Sequence, residues 1–200
     1  MDKVYLQKAN KLLEQAKNKL IEKNWNLVTN NNNTILESKE YPKVCTIPCY
    51  RVNSIINKSQ EDLINKIWFT NEKKMKKEDS DIIEWKIIES GNNWRVCRQV
   101  NQSTWPVWER ETVFAQVLIY DKDNIWIVAF SVDHPKAPVQ SDKYVRVIVH
   151  TSVYGFIKCS TKTSYVWKLS QIDPGGSINA SMVNIYSSKL VDIVENWKKN

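Results

Sequence analysis

The sequence predicts an α+β domain in which a curved antiparallel sheet folds around one long C-terminal helix. Three observations carry this. Apolar residues at three- and four-residue steps are confined mainly to the two ends of the chain. Between them the apolar period drops to two, in short segments rich in Val, Ile, Tyr, Thr and Trp. The joints between these segments are short and polar, so consecutive strands should pair antiparallel.

Residues 2–23 read as the first helix, with Val4, Leu6, Ala9, Leu12, Leu13, Ala16, Leu20 and Ile21 on one face and Lys and Glu on the other. Asn30–Asn33 is a polar turn. Strands are predicted at Val44–Thr46, Tyr50–Ile56, Ile82–Ile88, Trp94–Val100, Thr112–Tyr120, Ile125–Val132, Tyr144–His150, Val153–Cys159 and Ser164–Ile172. Ser90-Gly91-Asn92-Asn93 and Asp121-Lys122-Asp123-Asn124 are turn sequences between them. A helical interval follows Ser59, a plausible N-cap with acidic Asp62 three residues on, and Leu63, Ile64, Ile67 and Trp68 form its apolar face. After Asp173-Pro174-Gly175-Gly176, residues 177–197 carry Val183, Tyr186, Leu190, Ile193, Val194 and Trp197 at helical spacing, widened by Met182 and Ile185. At about 1.5 Å per residue this helix exceeds roughly 30 Å.

The 200 residues fit one domain, 1–200, and 42% hydrophobic content with nine Trp, eight Tyr and four Phe excludes wholesale disorder. Only four Gly and six Pro exclude collagen-like and low-complexity classes. Basic residues outnumber acidic ones, 29 to 22, for a net charge of +7. That excess suggests an anionic partner, nucleic acid or an acidic membrane face, and composition does not choose between them. No apolar run is long enough to span a bilayer, and the N-terminus is too charged for a signal peptide, so a cytoplasmic chain is expected. The sequons at Asn32, Asn57, Asn101 and Asn179 should then be unused, and Cys45, Cys49, Cys97 and Cys159 reduced. Cys45 and Cys49 stand one residue too far apart for a CxxC pair, and no metal or cofactor is called for.

A sheet bent around one helix either packs solid or leaves a cavity lined by inward side chains, and periodicity alone leaves both open. Four segments in order bear on this. Residues 129–142 read AFSVDHPKAPVQSD, and the strand Lys143-Tyr144-Val145-Arg146-Val147 follows. Trp105-Pro106-Val107-Trp108-Glu109-Arg110-Glu111-Thr112-Val113 is similar to a Pro-Val-x-x-Arg-Asp-x-Val segment, and Ile172-Asp173-Pro174-Gly175-Gly176-Ser177-Ile178 to a strand-to-helix junction. With the order of elements, these resemble the START family, the StAR-related lipid-transfer domains. The resemblance runs over the whole chain and is strongest from Trp105 to Val194.

The resemblance implies a helix-grip fold with an internal lipid cavity, the last helix as lid and the loop Asp133–Lys143 as gate, with Asp133, His134, Pro135 and Lys136 at its start. It implies an intracellular carrier of one phospholipid, a monomer in transient contact with anionic membranes, with no catalysis and no nucleic acid. Asp133 beside His134 lacks any accompanying nucleophile motif. Some family members hold a buried arginine where this chain has Gln116, which leaves a neutral amide. Arg98 would supply the missing cation if Trp94, Val96 and Arg98 face inward; on the opposite reading Arg95 is inside. Phe114, Gln116 and Leu118 on one strand and Trp167, Leu169 and Gln171 on the last are expected inward, facing Met182, Tyr186 and Leu190.

Phosphatidylcholine-binding members use an aromatic cage for the choline, together with an Arg-x-x-x-x-Asp stretch. Here that stretch is Asn71-Glu72-Lys73-Lys74-Met75-Lys76-Lys77, so the pair is not kept. Tyr144 and Trp94 are available aromatics, and His150 falls near an expected cage position. Lys73, Lys74, Lys76 and Lys77 are candidate contacts to anionic lipid or simply a solvated helix face. Runner-up readings are a basic nucleic-acid-binding domain and a helix-grip protein for a sterol or another non-phospholipid hydrophobe.

Overall fold

A computed structural model describes residues 2–103, 108–176 and 180–199. Helix α1 (Asp2–Ile21) leads into strands β1 (Asn26–Asn31), β2 (Thr34–Lys39) and β3 (Cys49–Ile56). Helices α2 (Gln60–Ile67) and α3 (Glu72–Glu78) precede a meander of β4 (Ile82–Ser90), β5 (Trp94–Asn101), β6 (Arg110–Asp121), β7 (Asn124–Ser131), β8 (Val145–Ser160) and β9 (Thr163–Asp173), and α4 (Ala180–Lys199) follows. The nine strands form one sheet in the order β1-β2-β3-β9-β8-β7-β6-β5-β4. Every neighbouring pair is antiparallel, and only the start of β8 also pairs parallel with the start of β6, beyond the end of β7. This is the helix-grip α+β fold.

Local sequence explains the elements. The Ser59 hydroxyl accepts the Asp62 amide at 3.1 Å and starts α2, and Asn71 Oδ1 accepts the Lys74 amide at 3.0 Å to start α3. At Gly155 on β8 the indole of Trp126 lies across the backbone, where an added Cβ would meet it at 2.4 Å, so only glycine fits. Gly175 takes φ +65 in the turn after β9, a left-handed conformation that favours glycine.

Three sequence expectations need correction. The β1–β2 hairpin was not anticipated, although its turn was. Asn32 and Asn33 both have positive φ, 49 and 61, which suits a tight hairpin turn. Nearly every β1 side chain is exposed, so the strand has no apolar alternation to betray it. Val44–Thr46 is not a strand: the Val44 and Cys45 amides both donate to Tyr41 O in a local turn. The segments Tyr144–His150 and Val153–Cys159 are one strand, β8, whose register shifts between Val149 and Thr151. Of the motifs, Trp105-Pro106-Val107 and Ser177-Ile178 lie outside the described residues, as do the start of the expected 177–197 helix and the Met182 side chain.

The sheet has two differently filled faces. On the outer face, Ala9, Leu13 and Ala16 of α1 pack against Trp94, Val96, Val113, Ala115, Val117, Trp126, Val128, Phe130, Val153, Trp167 and Leu169. On the inner face, Leu190, Val191, Val194 and Trp197 of α4 pack against Tyr50, Val52, Leu118, Ile125, Ile127, Phe156 and Val166, with Leu63 and Ile64 of α2. Burying each such side chain is worth about 1.5–3 kcal/mol.

Candidate functional site

The inner face is not filled completely. Between it and α4 lies a space of about 450 Å³, walled by Thr112, Val147, Ile172, Val183, Tyr186, Leu190 and Ile193 among others. A second space of about 260 Å³ runs over Phe114, Ile127, Ala129, Val149 and Trp197 and beside Met75 of α3. Asp79, Gln99, Thr112, Val147, Lys168, Ile172 and Ile193 wall both, so the two are lobes of one cavity. Apolar side chains supply most of its exposed wall, which suits an aliphatic or ring-shaped hydrophobe, and polar and charged side chains are set among them in both lobes.

Those polar groups are specific. Arg95 is buried; its Nε donates to Gln116 Oε1, its Nη1 to Trp68 O and its Nη2 to Ile67 O, each at 2.7 Å. Its guanidinium carbon lies 4.7 Å from the Trp68 ring centroid and 5.3 Å from that of Trp85. Burial lowers the Arg95 pKa from its usual value. Lys168 reaches across to the Tyr154 hydroxyl. Tyr186 Oη of α4 and Ser170 Oγ of β9 share a 2.6 Å hydrogen bond, and burial pushes the Tyr186 phenol up. Arg110 donates to Trp108 O through Nη1, and its buried Nε has no partner among the described residues. Lys189 of α4 grips Asp79 at 3.5 Å and Asp81 more closely, tying α4 to the loop after α3.

The expected site residues divide. Phe114, Gln116 and Tyr186 wall the cavity, and Leu118 belongs to the inner core. Trp94, Trp167 and Leu169 face outward onto the α1 side, where Trp94 meets Tyr5 with ring centroids 5.1 Å apart. Gln171 also turns outward, accepting Lys19 Nζ of α1 at 3.2 Å. Arg98 lies on the outer side too. It binds Glu84 and, at 2.5 Å, Glu111, whose other oxygen takes Arg146 at 2.8 Å. Burial opposes the Arg98 charge, yet the bonds to the two carboxylates outweigh it and raise its pKa. Arg98 and Tyr144 instead wall a separate open groove with Lys136, Pro138 and Lys143, which shares no residue with the cavity. His150 walls neither lobe. The choice between the two strand-β5 arginines therefore falls to Arg95.

The loop after β7 is anchored by His134, which is buried and meets Glu89 Oε2 at 2.8 Å through Nε2, while its Nδ1 accepts the Lys136 amide at 3.2 Å. Asp133, Pro135 and Lys136 are exposed. Arg146 Nη2 donates to Ala137 O and Pro138 O, so Glu111 and this loop are held by one guanidinium. Lys73, Lys74, Lys76 and Lys77 all point to solvent from α3, with Lys76 paired to Glu72 at 2.8 Å. Among the described residues no His, Cys, Asp or Glu cluster could hold a metal, and no helix is long and apolar enough to cross a membrane.

Sequence reasoning passed over Arg95 as a secondary option and missed Lys168, Ser170 and Tyr154. The register of the β5–β6 ladder, which the sequence does not give, sets Gln116, read as inward, opposite Arg95. Cross-strand partners share a face, so the two residues had to be inside together.

The shape has clear relatives. Human StAR-related lipid transfer protein 5 superposes over 100% of this chain and 97% of its own, with TM-score 0.86 at 16% identity. Human STARD10 matches over 92% of this chain and 76% of its own, with TM-score 0.77 at 21% identity. A STAR-related lipid transfer protein from Xanthomonas axonopodis matches over 88% and 98%, with TM-score 0.69 at 14% identity. No curated protein sequence matches closely enough to count as a relative. The family model described as START domain matches residues 5–200, nearly the whole length, and the chain belongs to the START domain family.

Proposed function

We propose that the protein binds one phospholipid in the cavity between the sheet and α4 and carries it between membranes. Membership of the START family supports lipid binding and transfer. The observation that carries the finer reading is the wall itself, a two-lobed space whose apolar lining is joined by buried polar side chains in both lobes. Each CH₂ removed from water is worth about 0.8 kcal/mol, so acyl chains favour such a wall strongly. A headgroup taken inside must find partners or its desolvation cancels that gain, and Arg95, Gln116, Lys168 and Ser170 offer them.

Loading requires the lid to move. Lys189 with Asp79 and Asp81 latches α4 from one side. The exposed lysines of α3 stand beside the smaller lobe, because Met75 on the same helix lines it. At an anionic bilayer each such lysine contributes about 1 kcal/mol. In this reading the net charge of +7 serves docking at the membrane and plays no part in binding nucleic acid.

The test is transfer of labelled phospholipid between vesicles by wild type, Phe114→Trp and Val147→Phe. Both side chains wall the cavity, so the larger residues should cut transfer at least about fivefold while thermal unfolding stays cooperative. Unchanged transfer in both variants overturns the cavity reading. A salt-dependent shift with RNA and no lipid uptake would favour the nucleic-acid alternative.

A further inference from the structure

The smaller lobe of the cavity carries two buried cations whose partners are all neutral, besides the partly exposed Lys66 of α2. Arg95 is 4% exposed and Lys168 is 6% exposed, and both wall the smaller lobe. Arg95 bonds one side-chain amide oxygen and two backbone carbonyls, and Lys168 bonds a tyrosine hydroxyl. The two carbonyls belong to the C-terminal end of α2, whose partial negative charge offsets part of the Arg95 charge. Lys168, in the middle of β9, has no helix end of this kind. Of the acids nearby, Glu78 is exposed, and Asp79 is taken by Lys189 together with Asp81. Two buried cations without carboxylates are costly unless an anion joins them.

The aromatic faces at this wall point the same way. Trp68 and Trp85 both lie against the Arg95 guanidinium, and Lys168 Nζ sits 4.2 Å from the Tyr154 ring centroid. A choline group needs free aromatic faces and distance from other cations. Here the protein's own cations lie against Trp85 and Tyr154, two of the rings that wall this lobe. Gln99, Thr112 and Ser152 add neutral hydrogen-bonding groups to the same lobe.

We infer that this cavity selects a lipid whose headgroup carries net negative charge, with Arg95 and Lys168 receiving its phosphate oxygens. The inference rests on the phospholipid reading above and narrows it. Arginine suits two phosphate oxygens at once and lysine adds a point charge, while Phe114, Ile127, Ala129 and Val149 hold the adjoining apolar part. A soluble phosphate ester would satisfy the cations and leave this apolar wall unused.

The experiment loads the full chain with dioleoylphosphatidic acid or dioleoylphosphatidylcholine delivered from cyclodextrin, so that no bilayer charge contributes. Native mass spectrometry then reads the one-to-one complexes in direct competition, with glycerol phosphate as the tail-less control. Phosphatidic acid should outcompete phosphatidylcholine about tenfold or more, and millimolar glycerol phosphate should displace neither. Lys168→Gln should bring the preference close to parity, and Lys168→Arg should keep it, both with cooperative thermal unfolding; Arg95→Lys gives a second charge-preserving comparison should Lys168→Gln fail to fold. Equal loading of both lipids, or preference for the choline lipid, overturns the inference and leaves the phospholipid reading standing. Saturation by glycerol phosphate alone makes this a soluble-anion site and also overturns it. Uptake of neither lipid overturns the phospholipid reading itself.

Discussion

The two faces of one sheet behave differently although the same strands build both. On the α1 face, small helix residues (Ala9 and Ala16) let the helix settle closely on a layer of Trp, Val and Phe, and the layer is closed. On the α4 face the alternating positions are Arg95, Thr112, Gln116, Ser152, Lys168 and Ser170, mixed with Phe114, Ile127 and Ala129, and space remains. Antiparallel sheets usually turn their polar alternation to water and their apolar alternation to the core. Here the apolar set faces a solid core and the more polar set faces a cavity that is partly open to solvent. The outer layer therefore supplies rigidity and the inner one binding chemistry.

Truncating one aromatic on each face breaks or sharpens this contrast most. Trp167 is fully buried on the outer face and packs edge-on to Trp126 with ring centroids 6.2 Å apart. Trp167→Ala should cost about 3–5 kcal/mol in denaturant unfolding. Phe114→Ala, on the cavity wall, should cost roughly 2 kcal/mol, close to the transfer term alone, because space already borders it. Equal losses at the two positions would mean the faces are packed alike.

A somewhat smaller effect is expected at the joint between the outer groove and the loop after β7. Glu111 is 1% exposed and takes both Arg98 and Arg146. Glu111→Gln leaves two largely buried guanidinium groups short of charge and should cost about 3 kcal/mol. Because Arg146 also holds Ala137 O and Pro138 O, amide exchange in that loop should accelerate in this variant. A loss confined to global stability, with the loop unchanged, would separate the two roles of Arg146.

The smallest effect is at the ion pairs that tie α4 to the loop after α3. Lys189→Ala removes the ion pairs to Asp79 and Asp81, which are partly exposed, and should cost only about 0.5–1 kcal/mol in global stability. Its kinetic effect should be larger than its thermodynamic one. Vesicle-to-vesicle transfer should speed up and lose part of its salt dependence, since an opened latch no longer competes with membrane docking. Transfer slowed in proportion to stability would assign Lys189 a packing role only.

Legibility followed periodicity closely. The strong period-two runs gave β5, β6, β7 and β9 nearly to the residue, and the Ser59 cap gave the start of α2. The β1 strand escaped because an exposed edge needs no alternation. At the site the failure was one of phase. On β9, Trp167 and Leu169 look like cavity lining and Lys168 like surface, yet the sheet puts Lys168 and Ser170 inside. A strand buried on both sides carries no sign in its sequence of which side holds the void.

The sequence by itself determined most of the elements, their antiparallel order, the turn at Gly175-Gly176 and the net basic charge. Those follow from local sterics, spacing and composition. Only the tertiary structure decided which face of each strand meets α1 and which meets α4. Shifting a strand by one residue exchanges its faces without changing its period. That choice depends on side chains many positions apart, and it is what set Arg95, and not Arg98, at the wall of the cavity.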